Sequence, residues 1–210
     1  MGWKPGEKVT VMKYLFLSPH PDDIELTCGA TISRFVREGH DVTVAVFSDC
    51  DVSESMSDAS KAHDILNVGS TRYFYYPQRD FGAHRQEILD TIIGLRNDIR
   101  PDVVFIPDFD SDIHQDHMVI GWEGLRAFKM TADIIGYSHS HNQVRSGNNY
   151  FVPVLFCDVE QKLHAVKCFT SEQARYYFNS ETIVGIMRYY GVQCESEYAE
   201  GFRMIRMTKR

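Results

Sequence analysis

Through its first two thirds the chain alternates between short runs of branched and aromatic residues and stretches with helical spacing. Residues 9–17 read as a first strand. Residues 27–38 carry Ala30, Ile32, Phe35 and Val36 at roughly helical spacing and stop at Gly39, as helices often do. Residues 42–47 follow as a strand, Ser57 caps a helix that runs to Asn67, and 72–76 form a short aromatic strand. An amphipathic helix over 85–99 is stopped by Pro101, and 103–106 form the next strand. An order of this kind leaves few topologies, because parallel strands joined by crossovers need helices on both faces. The expected fold is α/β, a Rossmann-like three-layer sandwich with a mainly parallel sheet and a single domain over 1–210. Further helices are expected over 117–129, 159–170 and 181–190, and strands over 133–137, 150–156 and 202–207. Residues 138–149, rich in Ser, His, Asn and Gly, read as a surface loop or lid.

Composition removes several functional classes. A formal charge of −7 with scattered Lys and Arg leaves no clustered cation surface for nucleic-acid phosphates. The mildly basic end, 204–210, reads as a solvated tail. Nothing approaches the length of a membrane span. The stretch 9–17 is interrupted by Lys13 and lacks a small-residue cleavage site, so it reads as a strand and not a signal peptide. Five cysteines (Cys28, Cys50, Cys157, Cys168 and Cys194) are an odd number with no C-x-x-C pair, which argues against a disulfide framework and a zinc ribbon and points to a reducing cytoplasm.

Two clusters carry the chemistry. Ser18-Pro19-His20-Pro21-Asp22-Asp23 follows the first strand, and Asp112-Ile113-His114-Gln115-Asp116-His117 follows the strand over 103–106. In open α/β sheets ligands bind beyond the carboxyl ends of strands, so two such loops can share a site despite their separation. His20 and Asp23 lie three apart and can reach one ion from a tight turn, and His117 can close the set. Two imidazoles and a carboxylate are a common composition for catalytic zinc with a position left for water. Asp22 diverges from Asp23 and is the natural general base. His114 and His117 point to one side of a helix entrance, so if one binds metal the other can act as general acid or oxyanion donor. Asp112 and Asp116 can orient these rings from behind. Taken alone, Pro-His-Pro is a rigid turn and paired Asp residues before a helix are an ordinary dipole interaction. Two such clusters after two buried strands make the metal reading the stronger one.

Other signals are weaker. No G-x-S-x-G elbow is present, and Gly29 stands alone after the first strand, so no dinucleotide is implied. His139 and His141 flank Ser140 in the presumed lid; they read as solvent-facing, with a substrate contact or a second metal as the other reading. His40, His63, His84 and His164 sit in or beside helical patterns and read as surface or packing residues.

The run His20-Pro21-Asp22-Asp23, with Ile24-Glu25-Leu26 and Cys28-Gly29 behind it, together with His114-Gln115-Asp116-His117, resembles the LmbE-like family of zinc-dependent N-deacetylases, which includes the N-acetylglucosaminylphosphatidylinositol de-N-acetylases. Weaker likenesses lie at 100–105, 162–173 and 198–202. The resemblance implies one zinc ion per chain, with iron as the other metal to consider, held by His20, Asp23 and His117. It implies Asp22 as general base, His114 as general acid and oxyanion partner, Asp116 tuning the His pair, and Arg79 facing substrate. The implied partner is a small N-acetylated amino sugar or conjugate, and a homo-oligomer is left open. The chain departs from the pattern at 53–58, where an arginine is expected, after Tyr137, where an acid is expected, and at 169–173. These departures bear on the pocket and not on the metal motif. They keep two rivals in play, namely the same hydrolytic core acting on a different amide such as a thiol-sugar conjugate or antibiotic intermediate, and a catalytically silent metal-binding protein.

Overall fold

Side chains alternate across a strand, and in β1 (Lys13–Ser18) both sides of that alternation are apolar: Phe16 enters one core while Leu15 and Leu17 enter another. In β2 (Asp41–Ser48) Val44 and Ala45 divide the same way, as do Phe105 and Val104 further along the chain. Strands buried on both faces need a helical layer on each side. The computed structural model, which describes residues 10–48, 54–145 and 147–208, has this architecture. The remaining elements are α1 (Asp23–Arg37), α2 (Glu54–Ile65), β3 (Ser70–Tyr76), α3 (Arg85–Ile99), β4 (Val103–Pro107), α4 (Gln115–Phe128), β5 (Asp133–Tyr137), β6 (Tyr150–Val154), α5 (Phe156–Val166), α6 (Ser180–Val192) and β7 (Tyr198–Arg206).

The seven strands form one sheet in the order β3-β2-β1-β4-β5-β7-β6. Neighbours from β3 through β5 pair in parallel, and β7 runs antiparallel to both β5 and β6. Helices α1, α2, α5 and α6 pack on one face and α3 and α4 on the other. Strand order reverses direction between β1 and β4, so the chain leaves their carboxyl ends in opposite directions and a crevice opens there.

Several expected boundaries move, each for a local reason. β1 begins at Lys13, and Val9 lies outside the described residues, as do Cys50, Ser53 and the last two residues of the basic tail. α1 begins at Asp23, four residues before the expected start, because its first turn buries Asp23 and Glu25 and so lacks the apolar period that would announce a helix. α2 already includes Ser57, which is therefore not its cap. β6 ends at Val154, since the Leu155 N–H donates to Asp158 Oδ2 at 2.9 Å and starts α5. Two 3₁₀ turns, Thr170–Glu172 and Tyr176–Phe178, fill the space before α6. The stop of α3 is as expected: Arg100 takes the left-handed conformation (φ 51°) and Pro101 follows.

Candidate metal centre

β1, β4 and β5 are consecutive neighbours in the sheet, and each sends histidine into the same crevice just beyond its carboxyl end. His20 follows β1 by two residues, His139 follows β5 by two, and His114 and His117 stand at the entrance to α4. Close packing holds α4 against β4: a Cβ on Gly121 would lie 2.5 Å from the Pro107 carbonyl oxygen. His20, Asp23, His117 and His139 are all buried.

Three donor atoms form a nearly equilateral triangle. His20 Nδ1 lies 3.2 Å from Asp23 Oδ2 and 3.2 Å from His117 Nε2, and the third side, His117 Nε2 to Asp23 Oδ2, is 3.4 Å. Ligand atoms on a tetrahedral zinc with bonds of 2.0–2.1 Å would stand about 3.3–3.4 Å apart. The ring nitrogens facing away from the triangle both meet carboxylates. His20 Nε2–H donates to Asp116 Oδ2 at 3.1 Å, and His117 Nδ1–H donates to Asp112 Oδ2 at 2.7 Å. Each bond leaves the lone pair of the other nitrogen directed into the triangle, the arrangement seen when a carboxylate backs a metal-binding imidazole. The field also favours positive charge. Burial alone would lower His20, yet Asp23 and Asp116 push it up to about 10. Asp23 itself, despite its burial, is held well below the usual carboxylate range by His117, His20 and His139. A divalent cation therefore fits the donors in spacing, orientation and charge.

Asp22 occupies the N-cap position of α1, next to the positive end of the helix dipole, but its side chain makes no capping bond and is left free to serve the cleft. Its carboxyl lines the cleft, and burial together with Asp23 holds it above the ordinary carboxylate range. His114 is the N-cap of α4: its Nδ1 accepts the Asp116 N–H at 3.2 Å, which leaves the ring proton on Nε2. Burial, then the neighbouring His117 and His20, push its pKa down to about 4, so the ring is a neutral donor.

Arg79 reaches the site in an unanticipated way. Its backbone, in the left-handed region (φ 67°), donates N–H to Asp116 Oδ2 at 2.7 Å, while its carbonyl accepts from Gln115 Nε2. The exposed side chain lines the cleft. Asp116, expected to tune the His114 and His117 pair, instead directs its carboxylate to His20, and Asp112 serves His117.

His139 is the main correction. Expected at the surface, it is only 2 % exposed, with Nε2 3.2 Å from Asp23 Oδ1 and Nδ1 3.4 Å from Asp112 Oδ2. Its position two residues past a recognised strand, matching that of His20, was the available signal. The cleft, about 340 Å³, also takes in His141, the neighbour of His139 in the His-Ser-His run, and Asp58, Phe169, Glu172, Arg175 and Tyr177, which have no metal-like spacing in the sequence. The Tyr177 ring stacks on His141 at 3.7 Å. The described cysteines, Cys28, Cys157, Cys168 and Cys194, are free thiols. Among the described residues no helix is long and apolar enough to cross a membrane.

The model of the GlcNAc-PI de-N-acetylase (PIG-L) family matches residues 15–128, more than half of the 210 residues. Among characterised relatives, the diacetylchitobiose deacetylase of Thermococcus kodakarensis is 25 % identical over 226 aligned residues, covering 93 % of this chain and 84 % of that protein. A conserved protein of Thermus thermophilus shares the fold with a TM-score of 0.77 at 22 % identity, covering 95 % of this chain and 97 % of that one. The 4-carboxy-2-hydroxymuconate hydratase of Pseudomonas putida does so with a TM-score of 0.76 at 16 % identity, covering 95 % and 99 %. The fold thus serves proteins named for different reactions, and chemistry has to be argued from the site.

Proposed function

Because this chain belongs to the GlcNAc-PI de-N-acetylase (PIG-L) family, we propose that it is a zinc-dependent hydrolase that removes the acetyl group from an N-acetylated amino sugar or sugar conjugate. The observation that carries this reading is the donor triangle of His20 Nδ1, Asp23 Oδ2 and His117 Nε2, with Asp22 and His114 beside it. Those three residues would hold the ion. When bound, it supplies Lewis acidity, polarising the acetamide carbonyl and lowering the pKa of a coordinated water to about 7.

The chain's own groups account for the proton movements. Asp22, kept above the usual carboxylate range, takes a proton from the attacking water as the new C–O bond forms. His114 presents a neutral Nε2–H and donates it as a hydrogen bond to the developing oxyanion. A neutral imidazole is a better oxyanion donor than acid, so the proton held by Asp22 is the direct source for the departing amine as the C–N bond breaks. Acetate and the free amine leave. Arg79, exposed on the cleft wall, is the residue we assign to substrate binding. Free thiols at the described cysteines fit a reducing cytoplasm.

The test is acetate release from N-acetylated amino sugars, free, nucleotide-linked and lipid-linked, by zinc-loaded protein beside D22A. Release from one class, lost in D22A with zinc still bound, is the expected result. No release from any class by protein holding one equivalent of zinc would contradict the proposal and favour another amide or a silent metal-binding protein.

A further inference from the structure

Asp108 follows β4 directly, and the loop that leads to His114 and His117 is wound around it. The residue is only 2 % exposed. Its carbonyl accepts the N–H groups of Ser111 at 3.0 Å and Asp112 at 2.9 Å. Its carboxylate holds the rest of the turn: Oδ1 accepts the Asp110 N–H at 3.2 Å, and Oδ2 accepts the Ser111 hydroxyl at 3.1 Å. The charge is met by Arg203 of β7, which donates Nε–H to Oδ2 at 2.8 Å and Nη2–H to Oδ1. Two bonds from one planar guanidinium fix direction as well as distance. The pair spans β5 at Gly136, the register partner of Arg203, where a Cβ would lie 3.1 Å from Asp108 Cβ. One turn further along the loop, Asp112 accepts the His114 N–H on Oδ1 at 2.9 Å and the His117 Nδ1–H on Oδ2 at 2.7 Å. An unbroken run of hydrogen bonds therefore leads from Arg203 through Asp108 and Asp112 to the ring of His117.

We propose that Arg203 is a positioning residue of the metal centre: its two-pronged grip on Asp108 sets the turn from Asp108 to Asp112 and, through that turn, the carboxylate that aims His117. The proposal rests on the metal reading given above. Among the described residues Arg203 is the only cation paired with Asp108. Without it a buried carboxylate is left uncompensated, and the turn has to open for water to reach the charge. Opening shifts the Asp112 N–H that the Asp108 carbonyl holds, and with it the oxygen that orients the ring. Partners that touch a ligand from behind are worth about 10–100-fold in metal affinity, and a group one step further out belongs at the lower end of that range. The competing arrangement is that the backbone bonds of Ile113 N–H to Asn142 O at 3.3 Å and Val144 N–H to Ser111 O at 3.0 Å hold the loop unaided.

The experiment measures zinc affinity, in competition with a chromophoric chelator, for wild type, R203M, R203K, D112N and R203M/D112N. R203M should bind zinc about tenfold more weakly. R203K, which keeps the charge and loses the fork, should recover part of that loss. R203M/D112N should bind no more weakly than D112N alone, because both changes break one path, whereas a loss that came only from a less stable fold would be as large in either background. If R203M does not fold, R203K takes its place in the cycle, with a smaller loss that again disappears in D112N. A second readout needs no metal: in proton NMR of the zinc-free protein, the His117 Nδ1–H should exchange with water faster in the Arg203 variant than in wild type. Unchanged zinc affinity, a loss that persists in full in D112N, or an unaltered His117 proton would each overturn the proposal while leaving the metal reading intact. Failure of the wild-type protein to take up zinc would overturn the metal reading, and this role with it.

Discussion

His117 Nδ1 donates a 2.7 Å hydrogen bond to Asp112 Oδ2, and the same oxygen lies 3.4 Å from His139 Nδ1, so one buried carboxylate orients two imidazoles. D112N keeps the size of the side chain and removes the charge. It should weaken zinc binding about 10–100-fold without unfolding the protein. Chelator competition measures the first effect and thermal melting the second; an unchanged affinity would mean that His117 is oriented without Asp112.

The Asp22 side chain makes no capping bond and contributes no atom to the donor triangle. D22N should therefore retain one equivalent of zinc while kcat for deacetylation falls about 10²–10⁴-fold, the range for loss of a general base. Loss of zinc from D22N would show instead that the residue is part of the cradle.

Arg79 holds Asp116 through its backbone N–H, which survives side-chain replacement. R79A should leave zinc affinity unchanged and raise KM. Its left-handed backbone predicts a second effect: R79G should be no less stable than R79A, although glycine ordinarily costs about 0.5–1 kcal/mol relative to alanine in regular structure. Urea denaturation of the two variants settles the comparison, and a markedly weaker R79G would speak against backbone strain at this position.

Away from the centre, Glu200 is buried with Lys162 Nζ at 2.5 Å and the backbone N–H groups of Thr31 and Ala30 at 2.7 and 3.3 Å. K162M leaves that carboxylate without its cation and should cost about 3–5 kcal/mol. The double variant K162M/E200Q should lose less than the sum of the single losses, because the two side chains form one unit. Strict additivity in chemical denaturation would contradict the coupling.

Gly121 and Gly124 are two points at which α4 meets β4. With the Pro107 oxygen only 2.5 Å from a built Cβ, and Phe109 Cβ 3.0 Å away, G121A must displace the helix that carries His117. Overpacking of this kind costs about 1–3 kcal/mol. The melting temperature and zinc affinity should fall together, and a fall in the first with the second unchanged would show that the helix entrance is fixed independently of its middle.

The parallel half of the fold was legible because its strands are apolar on both faces and its helices carry a clear period. α3 and β5 were placed to the residue. Where function intrudes, the pattern failed: Asp23 and Glu25 are buried acids in the first turn of α1, so the helix start was hidden behind polar residues. The residues brought together at the centre were visible as two strand-end clusters, since close spacing within each loop limits where a side chain can reach. His139 was missed because its partners, Asp23 and Asp112, are distant in sequence, and the polar composition around it describes the loop and not the one ring turned inward. The stretch 169–173 was set beside the pocket by the resemblance, and the cleft takes in its Phe169 and Glu172; Arg175 and Tyr177 were missed, because they reach the cleft through irregular turns that have no period to read.

The most direct measurement is an anomalous difference map at the zinc edge from crystals of the zinc-loaded protein. A single strong peak bounded by His20 Nδ1, Asp23 Oδ2 and His117 Nε2, with Asp22 outside the coordination shell, is the expected result. A peak held by other residues, or none in protein that carries one equivalent of zinc, would contradict the assignment of this triangle as the metal centre.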